Sequence, residues 1–127
     1  MEFKEIKLPF KVRRPVLALG SDIKNTVCFA GGNAAFVSEV IGDLKLPAAF
    51  KLFEKTVKSI PRRFKTRPRL IACDLHPEYF SSKYASALFP SCNIQRIQHH
   101  HAHICSCMAE NGLPDKGVIG IAFDGTG

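Results

Sequence analysis

From residue 46 onwards, stretches with helical periodicity alternate with short apolar runs. In LPAAFKLFEKTVKSI (46–60), the apolar residues recur at the spacing of one helix face: Leu46, Phe50, Phe53, Val57 and Ile60. The run RLIACD (69–74) that follows is typical of a buried strand. Because such alternation is typical of a sheet covered by helices, the sequence predicts an α/β fold.

The remaining segments extend this pattern in both directions. RRPVLALG (13–20) and NTVCFAGGNAAFVS (25–38) predict three short strands, separated by the polar SDIKN and by a turn at Gly31-Gly32-Asn33. HPEYFSSKYASAL (76–88) predicts a helix, CNIQRIQ (92–98) a strand, and the segment from His99 or His100 to Gly112 a helix. GVIGIAFDGTG (117–127) predicts a last strand. The order predicts a mixed sheet with three leading strands, followed by alternating helices and strands.

The chain carries a formal net charge of +7, and its densest basic cluster is PRRFKTRPR (61–69). This cluster is interpreted either as a solvated connector or as a surface that attracts a phosphate-bearing ligand or an acidic partner. A nucleic-acid-binding module is not favoured, because no RNA- or DNA-binding signature accompanies the charge.

Cysteine usage and hydropathy favour a cytoplasmic protein. The five cysteines are odd in number and contain no C-x-x-C pair, which argues against a disulfide framework. Cys105 and Cys107 are two residues apart, so they face apart on a helix, and packing is expected for them rather than metal binding. No signal segment begins the chain, and no apolar run reaches membrane-spanning length.

Four of the five histidines fall within residues 99–103. His99 and His103 are four apart, so on a helix they project from nearly the same face and could reach one ion. His100 and His101 point elsewhere and are expected to cap, stack or hydrogen-bond. Since histidine pairs also occur without a metal, an ordinary core or surface role remains the alternative.

Asp124 ends the strand that is predicted after the histidine helix, where its carboxylate could meet the two imidazoles. Three such ligands leave coordination positions open, as catalysis or ligand binding requires, and iron or zinc would suit them. The glycine loop Asp124-Gly125-Thr126-Gly127 follows a buried strand, which is where α/β enzymes bind ligands. The chain ends at this loop, so a truncated domain is expected.

Five segments carry a resemblance to a known family: PVLALGSDIKNTVCF, SEVIGDL, IACDLHPEYFSSKYA, IQHHHAHICSCMAENGL and VIGIAFDGTG. In this order they resemble the HypF-type hydrogenase maturation carbamoyltransferases, and within them the amino-terminal lobe of the last domain. That domain is similar to the tRNA threonylcarbamoyl transferases and to the actin/sugar-kinase/Hsp70 type of fold. The resemblance covers residues 15–127 and leaves residues 1–14 as a leader or linker.

The resemblance implies a carbamoyltransferase that passes a carbamoyl group from carbamoyl adenylate to the carboxy-terminal cysteine of a maturation partner. It implies that His99, His103 and Asp124 hold a divalent metal, iron or zinc, that contacts the nucleotide. It also implies nucleotide contacts from Gly125, Thr126 and Gly127.

Further nucleotide contacts are implied at Lys24 and Asn25, because the GSDIKN turn is similar to a phosphate-contacting loop. For Lys24 the alternative is an ordinary solvent-facing turn lysine. No catalytic residue is identified. Within CDLHPEYFSS, Asp74 and His76 either shape the nucleotide cleft or cap the helix after Pro77, and the cap is the favoured interpretation.

The chain departs from the family pattern in three ways. Glu39 and Val40 stand in SEVIGDL where the family has SQHIGDL. A second lobe with a further acidic metal ligand and an upstream adenylate-forming domain are also missing from the 127 residues. Two other hypotheses therefore remain: a non-catalytic module that binds metal, nucleotide or the maturation partner, or a lobe of a tRNA threonylcarbamoyl transferase-like enzyme. The tRNA-modifying hypothesis would account for the net charge through phosphate contacts.

Overall fold

The computed structural model describes residues 1–113 and 117–122, and it confirms the α/β prediction. Seven elements follow one another: β1 (Phe3–Ala18), β2 (Cys28–Ser38), α1 (Pro47–Phe64), β3 (Leu70–Asp74), α2 (Phe80–Leu88), β4 (Asn93–Ile97) and α3 (His99–Glu110). No helix in these residues has the length and apolar character needed to cross a membrane.

The four strands form one mixed sheet in the order β2-β1-β3-β4. β2 runs antiparallel to β1, whereas β1, β3 and β4 are parallel. Their carboxyl ends therefore share one edge of the sheet, where Ala18, Asp74 and Ile97 are the last strand residues. A parallel α/β sheet ordinarily binds its ligands at this edge.

The prediction of three leading strands is wrong, because β2 continues through Gly31-Gly32-Asn33 instead of turning there. Gly32 pairs with Val12 and has a φ of 62°, in the left-handed region that glycine tolerates. Between the pairs Lys7–Ala34 and Val12–Gly32, β1 advances five residues while β2 advances two. The glycines thus lie opposite a bulge in β1, and a bulge, like a turn, favours glycine.

β1 begins inside the segment that was assigned from the sequence to a leader or linker. Phe3 pairs with Ser38 at the start of the ladder, and its ring contacts Phe64 edge-on at a centroid distance of 5.5 Å. The predicted last strand is not formed by residues 117–122, the described part of GVIGIAFDGTG. Its remaining residues, 123–127, lie outside the described residues.

The hydrophobic core lies between one face of the sheet and the helices α1 and α2. From the sheet, Leu17, Ile71 and Cys73 are buried, and α1 contributes Phe53, Val57 and Ile60 to the same cluster. Leu46 precedes α1 as its N-cap residue and remains 59% exposed, unlike the other apolar positions of the predicted stripe. α2 adds Tyr84 and Ala85.

α3 lies over the opposite face of the sheet. Ala18, Ala72 and Asp74 alternate with the core positions of β1 and β3, so they point away from the core and line a cleft beside α3. α3 buries none of its own residues. The expectation that Cys105 and Cys107 pack is therefore wrong: both are exposed, because only one stripe of the helix faces the sheet.

Candidate functional site

α3 begins directly after β4, and a side-chain cap fixes its first turn. The Gln98 side-chain oxygen accepts a hydrogen bond from the His101 backbone N–H at 2.8 Å. A polar side chain in this position satisfies a backbone donor that the helix itself leaves unpaired. His99 is consequently the first helical residue and lies at the carboxyl edge of the sheet.

His99 and His103 face each other across one helical turn. Their Nε2 atoms are 3.1 Å apart, and their ring centroids are 4.8 Å apart. The predicted common helix face is confirmed. Two imidazole nitrogens that each bind one zinc ion at 2.0–2.1 Å lie about 3.0–3.4 Å apart, so the observed separation suits a shared metal.

The carboxylate of Asp74 holds His99 in place. Asp74 Oδ2 lies 2.7 Å from His99 Nδ1, and Oδ1 accepts a hydrogen bond from the His76 backbone N–H at 2.9 Å. The Asp74 side chain is only 8% exposed. A carboxylate accepts hydrogen bonds but cannot donate them, so the neutral tautomer of His99 that pairs with Asp74 is the one with its hydrogen on Nδ1. Its Nε2 lone pair is left directed at His103, in the arrangement that orients metal-binding histidines.

Asp74 therefore belongs to the cleft, and its favoured interpretation as a helix cap is wrong. The first two backbone N–H groups of α2, from Phe80 and Ser81, donate instead to the two carboxylate oxygens of Asp22, at 2.9 and 3.1 Å. His76 does not cap α2 either. Its ring stacks on Tyr79 at a centroid distance of 4.5 Å within the preceding turn.

The cleft has a volume of about 310 Å³ and lies between the carboxyl ends of β1 and β3 and the stripe of α3 that faces them. Its walls are formed by Ala18, Gly20, Ser21, Thr26, Ala72, Cys73, Asp74, Ile97, His99, Ala102, His103 and Ser106. The alanines provide the space, since larger side chains there would project into the cleft. The histidine pair thus opens onto a cavity at the carboxyl edge of the sheet.

The GSDIKN turn was predicted to contact the nucleotide, and three residues in or beside it line the cleft: Gly20, Ser21 and Thr26. Gly20 has a φ of 70°, and a Cβ atom added to it would lie 2.3 Å from the Thr26 carbonyl oxygen. This position therefore requires glycine on both conformational and steric grounds. The signal was available, because a glycine directly after a buried strand is typical of a ligand-binding turn.

The two residues predicted from that turn, Lys24 and Asn25, do not line the cleft. Lys24 is exposed at the tip, with a φ of 50°. Asn25 is 0% exposed, and its Nδ2 donates to the carbonyl oxygens of Leu19 and Ser21 at 2.8 and 2.6 Å. A side chain so enclosed is not placed for direct nucleotide contact. It holds the turn that carries Gly20 and Ser21.

The other two histidines of the cluster are engaged elsewhere, as expected. His100 Nδ1 lies 3.0 Å from Gln98 Nε2, and His101 Nε2 lies 3.4 Å from Cys105 Sγ one helical turn away. Neither His100 nor His101 lines the cleft. This separates the four neighbouring histidines into one converging pair and two surface residues.

Within residues 1–113 and 117–122, no three His, Cys, Asp or Glu side chains converge on one metal position. The predicted third ligand, Asp124, and the predicted nucleotide contacts Gly125, Thr126 and Gly127 lie outside the described residues. Glu39 and Val40, where the chain departs from the family pattern, are exposed and do not line the cleft.

Comparisons with known proteins agree on one family. The family model described as the HypF Kae1-like domain matches residues 11–110. The chain is 40% identical over 122 residues to the carbamoyltransferase HypF of Synechocystis sp., and 44% identical over 114 residues to the carbamoyltransferase HypF2 of Cupriavidus necator. These alignments cover 96% and 88% of the chain, but only 16% and 14% of the two relatives.

Solved structures give the same result. A crystal structure of full-length HypF in the phosphate- and nucleotide-bound form superposes with a TM-score of 0.88 at 42% identity, over 96% of this chain and 19% of that one. The crystal structure of T. kodakarensis HypF superposes with a TM-score of 0.73 at 30% identity, over 86% and 14% of the two chains. The chain therefore belongs to the HypF Kae1-like domain family, whose full-length relatives are carbamoyltransferases.

Proposed function

We propose that this chain forms the metal- and nucleotide-holding part of a HypF-type carbamoyltransferase of nickel–iron hydrogenase maturation. In the proposed reaction, a carbamoyl group passes from carbamoyl adenylate to a cysteine of a thiol-bearing maturation protein. The observation that carries the proposal is the 3.1 Å separation of the His99 and His103 Nε2 atoms at a cleft on the carboxyl edge of the sheet.

The donor set fits a divalent iron or zinc ion. His99 and His103 would hold it, Asp74 would fix the orientation of His99, and Asp124 is the proposed third ligand. When bound, such an ion supplies a Lewis acid for a phosphate oxygen of the nucleotide. Two imidazoles and one carboxylate leave positions open for that oxygen, whereas structural zinc sites are usually closed by four protein ligands.

The walls of the cleft support a nucleotide as the occupant. Gly20 lets the turn after β1 pack closely against the Thr26 backbone, and Ser21 and Thr26 bring polar groups to the same wall. A similar HypF structure was solved in a phosphate- and nucleotide-bound form. We propose that the phosphate end of carbamoyl adenylate lies between this wall and the two histidines.

The proposed transfer is a substitution at the carbamoyl carbon. The thiolate sulfur of the partner forms a bond to that carbon, the bond from the carbon to the phosphate oxygen breaks, and adenosine monophosphate leaves. The contribution of the described residues is to hold and orient the nucleotide on one side. Formation of the adenylate and closure of the cleft from the other side are proposed to lie outside these 127 residues, because the chain spans 14–16% of the length of its two relatives.

A calorimetric titration with zinc or ferrous ion tests the metal site. We expect weak binding by the unmodified chain, loss of most of it in His103→Ala, and little change in His101→Ala. The two variants are matched because both remove an exposed imidazole from α3, but only His103 faces His99.

Equal losses in the two variants would contradict the site, as would unchanged binding in His103→Ala. Tight binding that resists His103→Ala but is abolished by Cys105→Ala would place the metal instead on the His101–Cys105 pair. Circular dichroism of each variant checks that α3 still forms.

A further inference from the structure

A second and larger groove lies at the opposite end of the sheet from the histidines. Its volume is about 920 Å³, and its lining comes from the end of α1, the connection to β3, and the segment between α2 and β4. It is placed where β3 and β4 begin, whereas the histidine cleft is placed where they end. The two cavities share no lining residue.

Five basic side chains line this groove: Lys58, Arg62, Lys65, Arg67 and Arg69. All five are exposed. No acidic residue is among the described lining, and none of the five basic residues has an ion-pair partner within residues 1–113 and 117–122. The groove therefore carries a concentrated positive charge that no described residue neutralises by an ion pair.

The favourable interaction of cations with the carboxyl end of α1 explains only part of the positive charge in the groove. Arg62 lies in the last turn of α1, where a cation interacts favourably with the helix dipole. Lys65, Arg67 and Arg69 lie beyond the last helical residue, so that effect does not account for them. Lys65 has a φ of 53°, and the backbone N–H groups of Lys65 and Thr66 both donate to the Pro61 carbonyl oxygen. These bonds set the direction in which the basic connection leaves the helix.

The lining of the groove is apolar as well as basic. Leu17 and Val57 lie at its base, nearly or fully buried, and Leu88 is 45% exposed. Phe89 is partly buried and packs against the core. A ligand that fills this groove therefore meets exposed hydrocarbon at Leu88 and Phe89 and cations around it.

We propose that this groove binds an acidic, partly apolar segment of a partner protein. Acidic side chains would pair with the five cations, and apolar side chains of the same segment would cover Leu88 and the exposed part of Phe89. A peptide bound in a groove can pair with exposed charges and bury exposed apolar area at the same time.

A second copy of this chain is a poor occupant. Its acidic residues are scattered, and no two of them are adjacent in the sequence. Single-stranded nucleic acid fits less well than a peptide, because stacking of bases needs exposed aromatic faces. The one aromatic residue in the described lining, Phe89, is turned towards Tyr84, at a ring-centroid distance of 6.5 Å.

Fluorescence anisotropy with a labelled peptide of alternating glutamate and leucine tests the proposal. The unmodified chain is compared with the double variant Arg67→Glu/Arg69→Glu and with Lys4→Glu/Lys7→Glu. Both pairs lower the net charge equally, but Lys4 and Lys7 are exposed residues of β1 outside the groove. At physiological ionic strength we expect a loss of about tenfold or more in affinity for the groove variant and a loss of less than about twofold for the control.

Two further probes make each result decisive. A glutamate–serine peptide of equal charge should bind more weakly than the glutamate–leucine peptide, and equal affinity would overturn the role of the apolar lining at Leu88 and Phe89. Single-stranded RNA that competes fully with the peptide, and depends equally on Arg67 and Arg69, would overturn the proposal in favour of a nucleic-acid site. Equal losses in both double variants would show non-specific attraction and overturn it as well. The metal site is not involved, so the proposed function stands or falls separately.

Discussion

The carboxylate of Asp74 connects the sheet to the histidine helix. One of its oxygens is used by the turn after β3, and the other holds His99. The sequence predicted that His99 and His103 share a helix face, because that relation depends only on a spacing of four residues. It did not predict the partner of His99, since Asp74 is 25 residues away and reaches it only once β3 and β4 are paired.

Replacing this carboxylate should weaken metal binding while both histidines remain. We expect Asp74→Asn to lower the affinity for zinc or ferrous ion by about 10- to 100-fold, the usual effect of losing such an orienting partner. Calorimetry measures the affinity, and nitrogen NMR of the imidazoles reports whether His99 still carries its hydrogen on Nδ1.

The matched control is Glu78→Gln, the same chemical change at a side chain that is 74% exposed. It should leave both the affinity and the tautomer unchanged. If Asp74→Asn behaves like the control, the hydrogen bond to His99 has no part in metal binding.

The helix α2 shows where local sequence patterns stop being sufficient. Its amino-terminal N–H groups are satisfied by Asp22, which lies 58 residues before Phe80 in the sequence. The helix was predicted from residue 76 but begins at Phe80, where this distant acceptor becomes available. The sequence likewise predicted a turn at the glycines of β2. The bulge in β1 that accommodates these glycines depends on pairing between the strands, which the local pattern does not show. By contrast, α1, β3 and β4 follow from periodicity and apolar runs, and they lie close to where they were predicted.

Loss of the distant cap should destabilise the whole domain. Asp22 is 4% exposed, so Asp22→Ala leaves the buried N–H group of Ser81 and the part-buried N–H group of Phe80 without this acceptor. We expect the free energy of unfolding to fall by about 1–3 kcal/mol. Urea denaturation followed by circular dichroism gives this value.

The control for the cap is Asp43→Ala. The Asp43 side chain accepts an exposed hydrogen bond, from the Lys45 backbone N–H at 3.0 Å within its own turn. If Asp43→Ala lowers the free energy of unfolding as much as Asp22→Ala does, the hydrogen bonds from α2 to Asp22 contribute no more stability than an exposed hydrogen bond.

The molecule as a whole presents a histidine cleft at one end of the sheet and a basic groove at the other. Among residues 1–113 and 117–122, the cleft is lined mainly by β1, β3, α3 and the turn after β1. Positioning of two reactants can supply about 7–11 kcal/mol of a reaction barrier in favourable cases, and it requires both reactants to be held. The described residues offer contacts to one of them.

The isolated 127-residue chain is therefore expected not to transfer carbamoyl groups. Carbamoyl adenylate and the thiol-bearing partner are mixed with the chain, and thiocarbamate on the partner is followed by mass spectrometry. A full-length HypF relative serves as the positive control. Robust transfer by the isolated chain, lost in His99→Ala, would show that these residues suffice.

Stability should decline at alkaline pH through two enclosed acidic groups. Burial raises the pKa of the Cys28 thiol to about 11 from an ordinary 9.0, and burial, with a smaller effect of Glu54, raises the pKa of Tyr84 to about 12 from 10.0. Between about pH 9 and 12 the unfolded chain loses these protons before the folded chain does, so the free energy of unfolding falls as the pH rises. Below pH 9 the contribution of both groups is fully present.

Denaturation at a series of alkaline pH values checks this. Cys28→Ala should flatten the part of the decline between about pH 9 and 11, and Tyr84→Phe the part between about pH 10 and 12. Cys105→Ala, which removes an exposed thiol, should leave the decline as it is. If the free energy of unfolding declines equally in all three variants, groups other than Cys28 and Tyr84 cause the decline.

β1 pairs antiparallel with β2 and parallel with β3, and this difference implies an order of folding. Its antiparallel pairing with β2 closes over a short connection, whereas its parallel pairing with β3 is limited to Val16, Leu17 and Ala18 and joins residues 54 positions apart. Short loops close before long ones, so the β1–β2 hairpin should form first and the parallel pairs later. Asp74 can meet His99 only after β4 has joined β3 and α3 has left the ribosome. The contact between Asp74 and His99 should therefore form late in folding, so a metal held by His99 and His103 would be acquired by a domain that is already built.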